Sequence, residues 1–145
     1  MSKDNIRDYA TAAFRFYAKV GSKKDYLNRL QQDAQHGQGN GISKPTEAAL
    51  VSKETILQTR AAEFADIEAT ERTMYQLGLM TNGLAICKVI EDVYFKDCWK
   101  DLEKGDIQDR VHHCEIHIPA SERQIYYWLR KAREMFAIER GLRIK

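Results

Sequence analysis

No apolar run in this chain approaches the ~20 residues needed to cross a bilayer, which speaks against a membrane-spanning helix and a membrane partner. Strand signals are nearly missing too. Only Glu115 to Ile118 alternates, which is too short to build a sheet. Cysteine is scarce: Cys87, Cys98 and Cys114 are an odd number at wide spacing, with no Cys-x-x-Cys pair. That pattern fits reduced thiols better than a disulfide framework. Lys3 and Arg7 near the N-terminus are interrupted by Asp4 and Asp8, and no secretory core follows. A cytoplasmic protein is therefore expected. The glycines of His36-Gly37-Gln38-Gly39-Asn40-Gly41 have no preceding strand and no following Gly-Lys-Ser/Thr, so they read as a linker and not as a phosphate loop.

What remains is abundant helical patterning. With 145 residues, 43% apolar and 30% charged, the chain suits one globular domain, or one with an appendage, and is too apolar for general disorder. Ile6, Tyr9, Ala10, Ala13, Phe14 and Tyr17 form a first stripe, ending near Gly21. Ser22 can start a second helix carrying Tyr26, Leu27, Leu30 and Ala34. Pro45 suits the first turn of a long charged helix running to Leu77, with Gly78 as its stop. Its Leu50–Leu57–Phe64 spacing of seven is compatible with a homodimer seam, although Glu71 breaks the series and packing within one subunit is favoured. Asn82 can cap an apolar helix to about Lys96, and a short helical turn is expected around Trp99 and Leu102. A further helix runs from Asp106 to Glu115, and Pro119 sharpens the turn after it. The division expected is an N-terminal helical region, residues 1–80, and a C-terminal region, residues 81–145.

The most informative segment is the last. Ser121 followed by Gln124 is a capping-box pattern. Ile125, Trp128, Leu129, Ala132 and Phe136 then form one apolar stripe, while Arg123, Gln124, Tyr127, Arg130, Lys131 and Glu134 occupy the other face. Charge is segregated as well. Glu91–Asp109 carries seven acids against three lysines, whereas Pro119–Lys145 carries seven bases against three acids. A basic end on a chain of net charge +2 points toward a polyanion. Two short-linked helices, the second capped and basic, make a helix-turn-helix pattern. In such a pair Arg123 offers a bidentate fork to guanine, Gln124 pairs with adenine, and Tyr127 meets a thymine methyl or a phosphate. Arg130, Lys131 and Arg133 lie further along, where phosphates are within reach.

The run Ser-Glu-Arg-Gln-Ile-Tyr-Tyr-Trp-Leu-Arg-Lys-Ala-Arg-Glu-Met-Phe-Ala, Ser121 to Ala137, resembles the recognition helix of sigma factor region four. It is closer to the sigma-like helix of phage late-gene transcription regulators of the ArpU and RinA type. Val93-Tyr94-Phe95 resembles the end of the buried helix that precedes it in those families. The resemblance covers about residues 82–142. It implies a capping role for Ser121, base-side roles for Glu122, Arg123 and Tyr127, and phosphate-side roles for Arg130 and Lys131. It also implies double-stranded DNA and RNA polymerase as partners. Two features depart from the pattern. Cys114 or Glu115 stands where a small residue usually lets the helices cross, and Pro119 lies unusually near the cap.

Other constellations are thinner. His112-His113-Cys114 with His117 is the one metal-like group, and His113 and His117 are spaced i, i+4. Further ligands would have to come from afar, so a surface histidine group is favoured and no metal or other cofactor is expected. Cys114 beside His113 does not make a nucleophile pair, because adjacent helical residues point about 100° apart. No enzyme is expected. The overall expectation is an all-α, multi-helix, DNA-binding regulator of transcription with a C-terminal helix-turn-helix. The alternative is a helical interaction or assembly protein that self-associates through the Pro45–Leu77 helix.

Overall fold

The structure, a computed structural model, describes residues 4–37 and 53–142, with side chains described except at residues 34–37. The fold is all-α: α1 (Asn5–Val20), α2 (Lys23–Gly37), α3 (Ala61–Leu79), α4 (Gly83–Ile90), α5 (Asp106–His117) and α6 (Glu122–Arg140). Residues 53–59 form a helical lead-in to α3, and a π-helical turn, Glu91–Phe95, prolongs α4. No strand occurs among the described residues. The expected linker starts later than His36, because α2 continues through Gly37; its remaining residues, 38–41, and the helix start at Pro45 lie outside the described residues.

Local chemistry accounts for the helix ends. The Asp4 carboxylate accepts the Arg7 N–H at 2.9 Å, and the Ser22 hydroxyl accepts that of Asp25 at 3.2 Å. The stripe on α1 buries Ala10, Ala13 and Phe14. Between α1, α2 and α3 lies a smaller core of Val20, Tyr26, Leu27, Phe64 and Ile67, with Leu57 packed against it. Leu57 and Phe64 of the seven-residue series are thus engaged within the subunit, and Leu50 lies outside the described residues.

Several expected boundaries move. Gly78 does not stop its helix, which continues to Leu79. At Gly83 a Cβ would stand 2.3 Å from the Gly78 carbonyl oxygen, so α3 and α4 meet backbone to backbone. Asn82 precedes α4 in the left-handed conformation (φ 66°) without a side-chain cap. Trp99 and Leu102 sit in a non-helical connector, with Trp99 74% exposed. Gly105 precedes α5, and the Asp106 carboxylate reaches back to the Glu103 N–H at 2.8 Å. α5 runs through His117, past the expected end at Glu115. The turn to α6 is correspondingly short, residues 118–121.

α6 is the central helix, packed against α1, α3, α4 and α5. Its Ile125, Leu129, Ala132, Phe136 and Ala137 are fully buried and Trp128 nearly so. Ile125, Trp128, Leu129, Ala132 and Phe136 share one core with Phe14, Ala69, Leu77, Ile90, Val93, Tyr94, Val111 and Cys114, residues drawn from both sides of position 80. Phe14 stacks edge-on against Phe136 at 5.4 Å.

One buried charge organises the connector. Arg15, flanking the α1 stripe, is 9% exposed. Its guanidinium donates to the carbonyls of Tyr94 (3.0 Å), Lys96 (3.3 Å), Asp97 (2.8 Å) and Lys100. Arg110 donates to the carbonyls of Val93 (2.8 Å) and Lys96 (2.9 Å). The two cations satisfy acceptors left open where the π-helical turn ends, the negative pole of the helix dipole. Burial first, and then the charge of Arg110, lowers the Arg15 pKa from its ordinary value. Arg15→Gln leaves several of these carbonyls unpaired. Urea unfolding is expected to show a loss of about 2–3 kcal/mol, against little change for the exposed Lys19→Gln. Equal stabilities for both variants would refute this role.

Candidate nucleic-acid interface

α6 begins as its sequence dictates. The Ser121 hydroxyl accepts the Gln124 N–H at 3.1 Å, with Ser121 in extended backbone (φ −76°, ψ 162°). Ala120 before the cap and Ile125 in the second turn both pack into the core, the placement of a hydrophobic staple. At the far end Gly141 adopts φ 76° and its N–H, with that of Leu142, returns to the last carbonyls of the helix. Ion pairs fix this end. Asp66 accepts the Arg140 Nε–H at 2.7 Å and the Tyr9 hydroxyl at 2.8 Å, and Glu139 accepts from Arg72 at 3.0 Å and Gln76 at 2.8 Å.

With both ends held and the apolar stripe buried, the rotation of α6 about its axis is set. Glu122, Arg123, Gln124, Tyr127, Arg130 and Glu134 are exposed, and Lys131 is half-buried. Tyr127 is 49% exposed and Tyr126 37%. Arg123 and Lys131 have no ion-pair partner among the described residues. Arg130 reaches Glu134 at 3.7 Å, an exposed pair of small energetic weight that leaves it available. Arg133 is turned inward instead. It is half-buried and donates to the Tyr94 hydroxyl at 2.7 Å. Arg130 and Lys131 make no such inward hydrogen bond among the described residues.

The helix before it is held close. Val111, Cys114 and Ile118 are buried in the same core as Ile125, Trp128 and Leu129. Of the two residues considered for the crossing point, Cys114 is buried and Glu115 exposed, so the small side chain faces inward. His117 Nε2 lies 3.0 Å from Asp92, which also meets Lys88 at 3.4 Å, tying the end of α5 to the π-helical turn. His113 contacts the His117 ring at 5.2 Å. The expected i, i+4 histidine pair thus exists, its members facing each other and, for His117, Asp92. A different trio, His112, Glu115 and Glu122, brings its ligand atoms within 4.8 Å of one another. Sequence reading missed it because its third member comes from the next helix.

A groove of about 740 Å³ lies on the other flank of α6, between α1 and the connector, with Phe16, Lys19, Lys100, Leu102 and Tyr126 in its walls. Three of its cations are already engaged: Arg7 with Asp8, Arg15 with carbonyls and Arg133 with Tyr94. No family model matches the chain, nor does any curated protein or solved structure.

Burial, followed by the charge of Asp92, pushes the Cys114 thiol up to about 11. This is the opposite of what a thiolate nucleophile requires. An unfolded chain releases that proton near its ordinary value of 9.0 while the native state holds it to about 11, so stability should fall as pH rises through this window. At mildly alkaline pH a thiol reagent is expected to label at most two of the three cysteines rapidly, Cys114 reacting only after denaturation. Rapid release of three equivalents from the native protein would contradict the burial of Cys114.

Proposed function

We propose that this chain is a sequence-specific DNA-binding regulator of transcription whose reading helix is α6. The observation that supports this reading best is the first half of that helix. Arg123, Gln124, Tyr127 and Arg130 stand in solvent on a helix whose opposite stripe is locked into the core. A reading helix needs this combination of long polar side chains over a rigid base, since a mobile helix would lose in ordering entropy what its contacts gain. In this role Ser121 fixes the helix start. Glu122, Arg123, Gln124 and Tyr127 face base edges, and Arg130 and Lys131 face phosphates. The sigma-like resemblance of Ser121–Ala137 adds a phage or prophage setting and a mechanism of recruitment, in which the bound regulator stabilises RNA polymerase at a nearby promoter. The helices before residue 80 are then available for dimerisation or polymerase contact.

A second reading is favoured by a separate observation. At the corner between α3 and α4, Tyr75, Leu79 and Leu84 are 70%, 71% and 91% exposed, with Met80 beside them. Apolar exposure of this kind marks protein contacts and suits a helical assembly protein without nucleic-acid function.

Selection of bound fragments from random duplex DNA, followed by gel-shift titration, separates the two. A regulator is expected to retain one fragment class and to lose affinity steeply with added salt, because phosphate contacts release counterions. Arg123→Ala should cost about 1–3 kcal/mol and relax preference at one base pair, while Lys131→Ala should weaken all sequences evenly and reduce the salt slope by about 1. An Arg123→Ala loss equal on selected and random DNA, or a Lys131→Ala loss confined to selected DNA, would reject the role assigned to that residue. Oligomerisation with no shift at any salt would leave the assembly reading in place.

A further inference from the structure

The junction of α5 and α6 gathers three metal-ligating side chains that the reading of α6 leaves partly unexplained. His112 and Glu115 lie on α5 and Glu122 opens α6, and their nearest ligand atoms are all within 4.8 Å. His112 Nδ1 is 4.0 Å from Glu115, and neither glutamate meets a lysine or arginine among the described residues. Glu115 is poorly placed on electrostatic grounds. It sits in the last turn of α5, at the negative end of the helix dipole, beside a second carboxylate. Both carboxylates also bear on one neighbour. The Tyr126 phenol pKa is raised, first by burial and then by the charges of Glu122 and Glu115.

We propose that His112, Glu115 and Glu122 form a surface site for one divalent first-row transition cation, zinc foremost, joining the end of α5 to the start of α6. One imidazole and two carboxylates are a donor set for such metals, whereas magnesium and calcium prefer oxygen alone. Metal bonds of about 2.0–2.2 Å need the three atoms drawn somewhat closer, which exposed side chains achieve by rotation, with water completing the shell. The cation offsets the paired negative charge and links the two helices across the four-residue turn.

The test uses the full chain freed of metal, titrated with Zn²⁺ by calorimetry and with Co²⁺ by visible absorption. One equivalent of each should bind, with a cobalt spectrum lacking thiolate bands. His112→Ala, Glu115→Gln and Glu122→Gln should each weaken binding roughly tenfold or more. Glu134→Gln, an exposed carboxylate elsewhere on α6, should not, and neither should the pair Cys87→Ser and Cys98→Ser. Circular dichroism confirms that each variant is folded before it is scored. Absence of saturable binding would overturn the proposal, as would binding that survives His112→Ala and Glu122→Gln or that disappears with the cysteines. No DNA is present in these titrations, so the metal site stands or falls apart from the reading of α6.

Discussion

The burial of one stripe of α6 is the constraint on which the rest of the structure depends. Ile125, Leu129, Ala132 and Phe136 recur at helical spacing and are fully buried, so α6 cannot rotate without exposing its largest apolar groups. Four helices are arranged around that stripe. The Phe14–Phe136 contact ties in α1, and Asp66, shared between Tyr9 and Arg140, joins α1, α3 and α6 in one network. Because the inner face is fixed, the outer face is fixed as well. The solvent position of Arg123 and Tyr127 follows from the packing behind them.

A second device places α5. The π-helical turn after α4 ends in carbonyls that no ordinary helical bond satisfies, and Arg15 and Arg110 converge on them from α1 and α5. Two like charges so close would repel, yet each is held by several acceptors at the negative end of a helix. The arrangement draws the connector against α1 and fixes where α5 starts. His117 on Asp92 then holds the other end of α5 to the same turn. The short link to α6 therefore runs between two helices whose positions are already determined.

Much of this was legible from residue order. The cap at Ser121, the stripe of α6 and the polar face opposite it follow from local rules of spacing and hydrogen bonding, and the structure has each of them. The all-α class followed from the same periodicity. What the sequence hid depends on contacts between distant segments. Nothing near Arg15 announces that its partners lie about eighty residues away. The connector around Trp99 has helical-looking spacing but is shaped by the arginines that cap what precedes it. The histidines were recognised as a group, but Asp92 beside His117 and Glu122 beside His112 come from tertiary placement of α5.

The most direct measurement is an NMR titration of the isotopically labelled protein with a selected DNA duplex, following backbone amides and arginine side chains. The account holds that the largest perturbations fall on Arg123, Gln124, Tyr127, Arg130 and Lys131, while Phe136 and the α1–α3 core stay unchanged. Perturbations confined to the α3–α4 corner, or none at duplex excess, would contradict it.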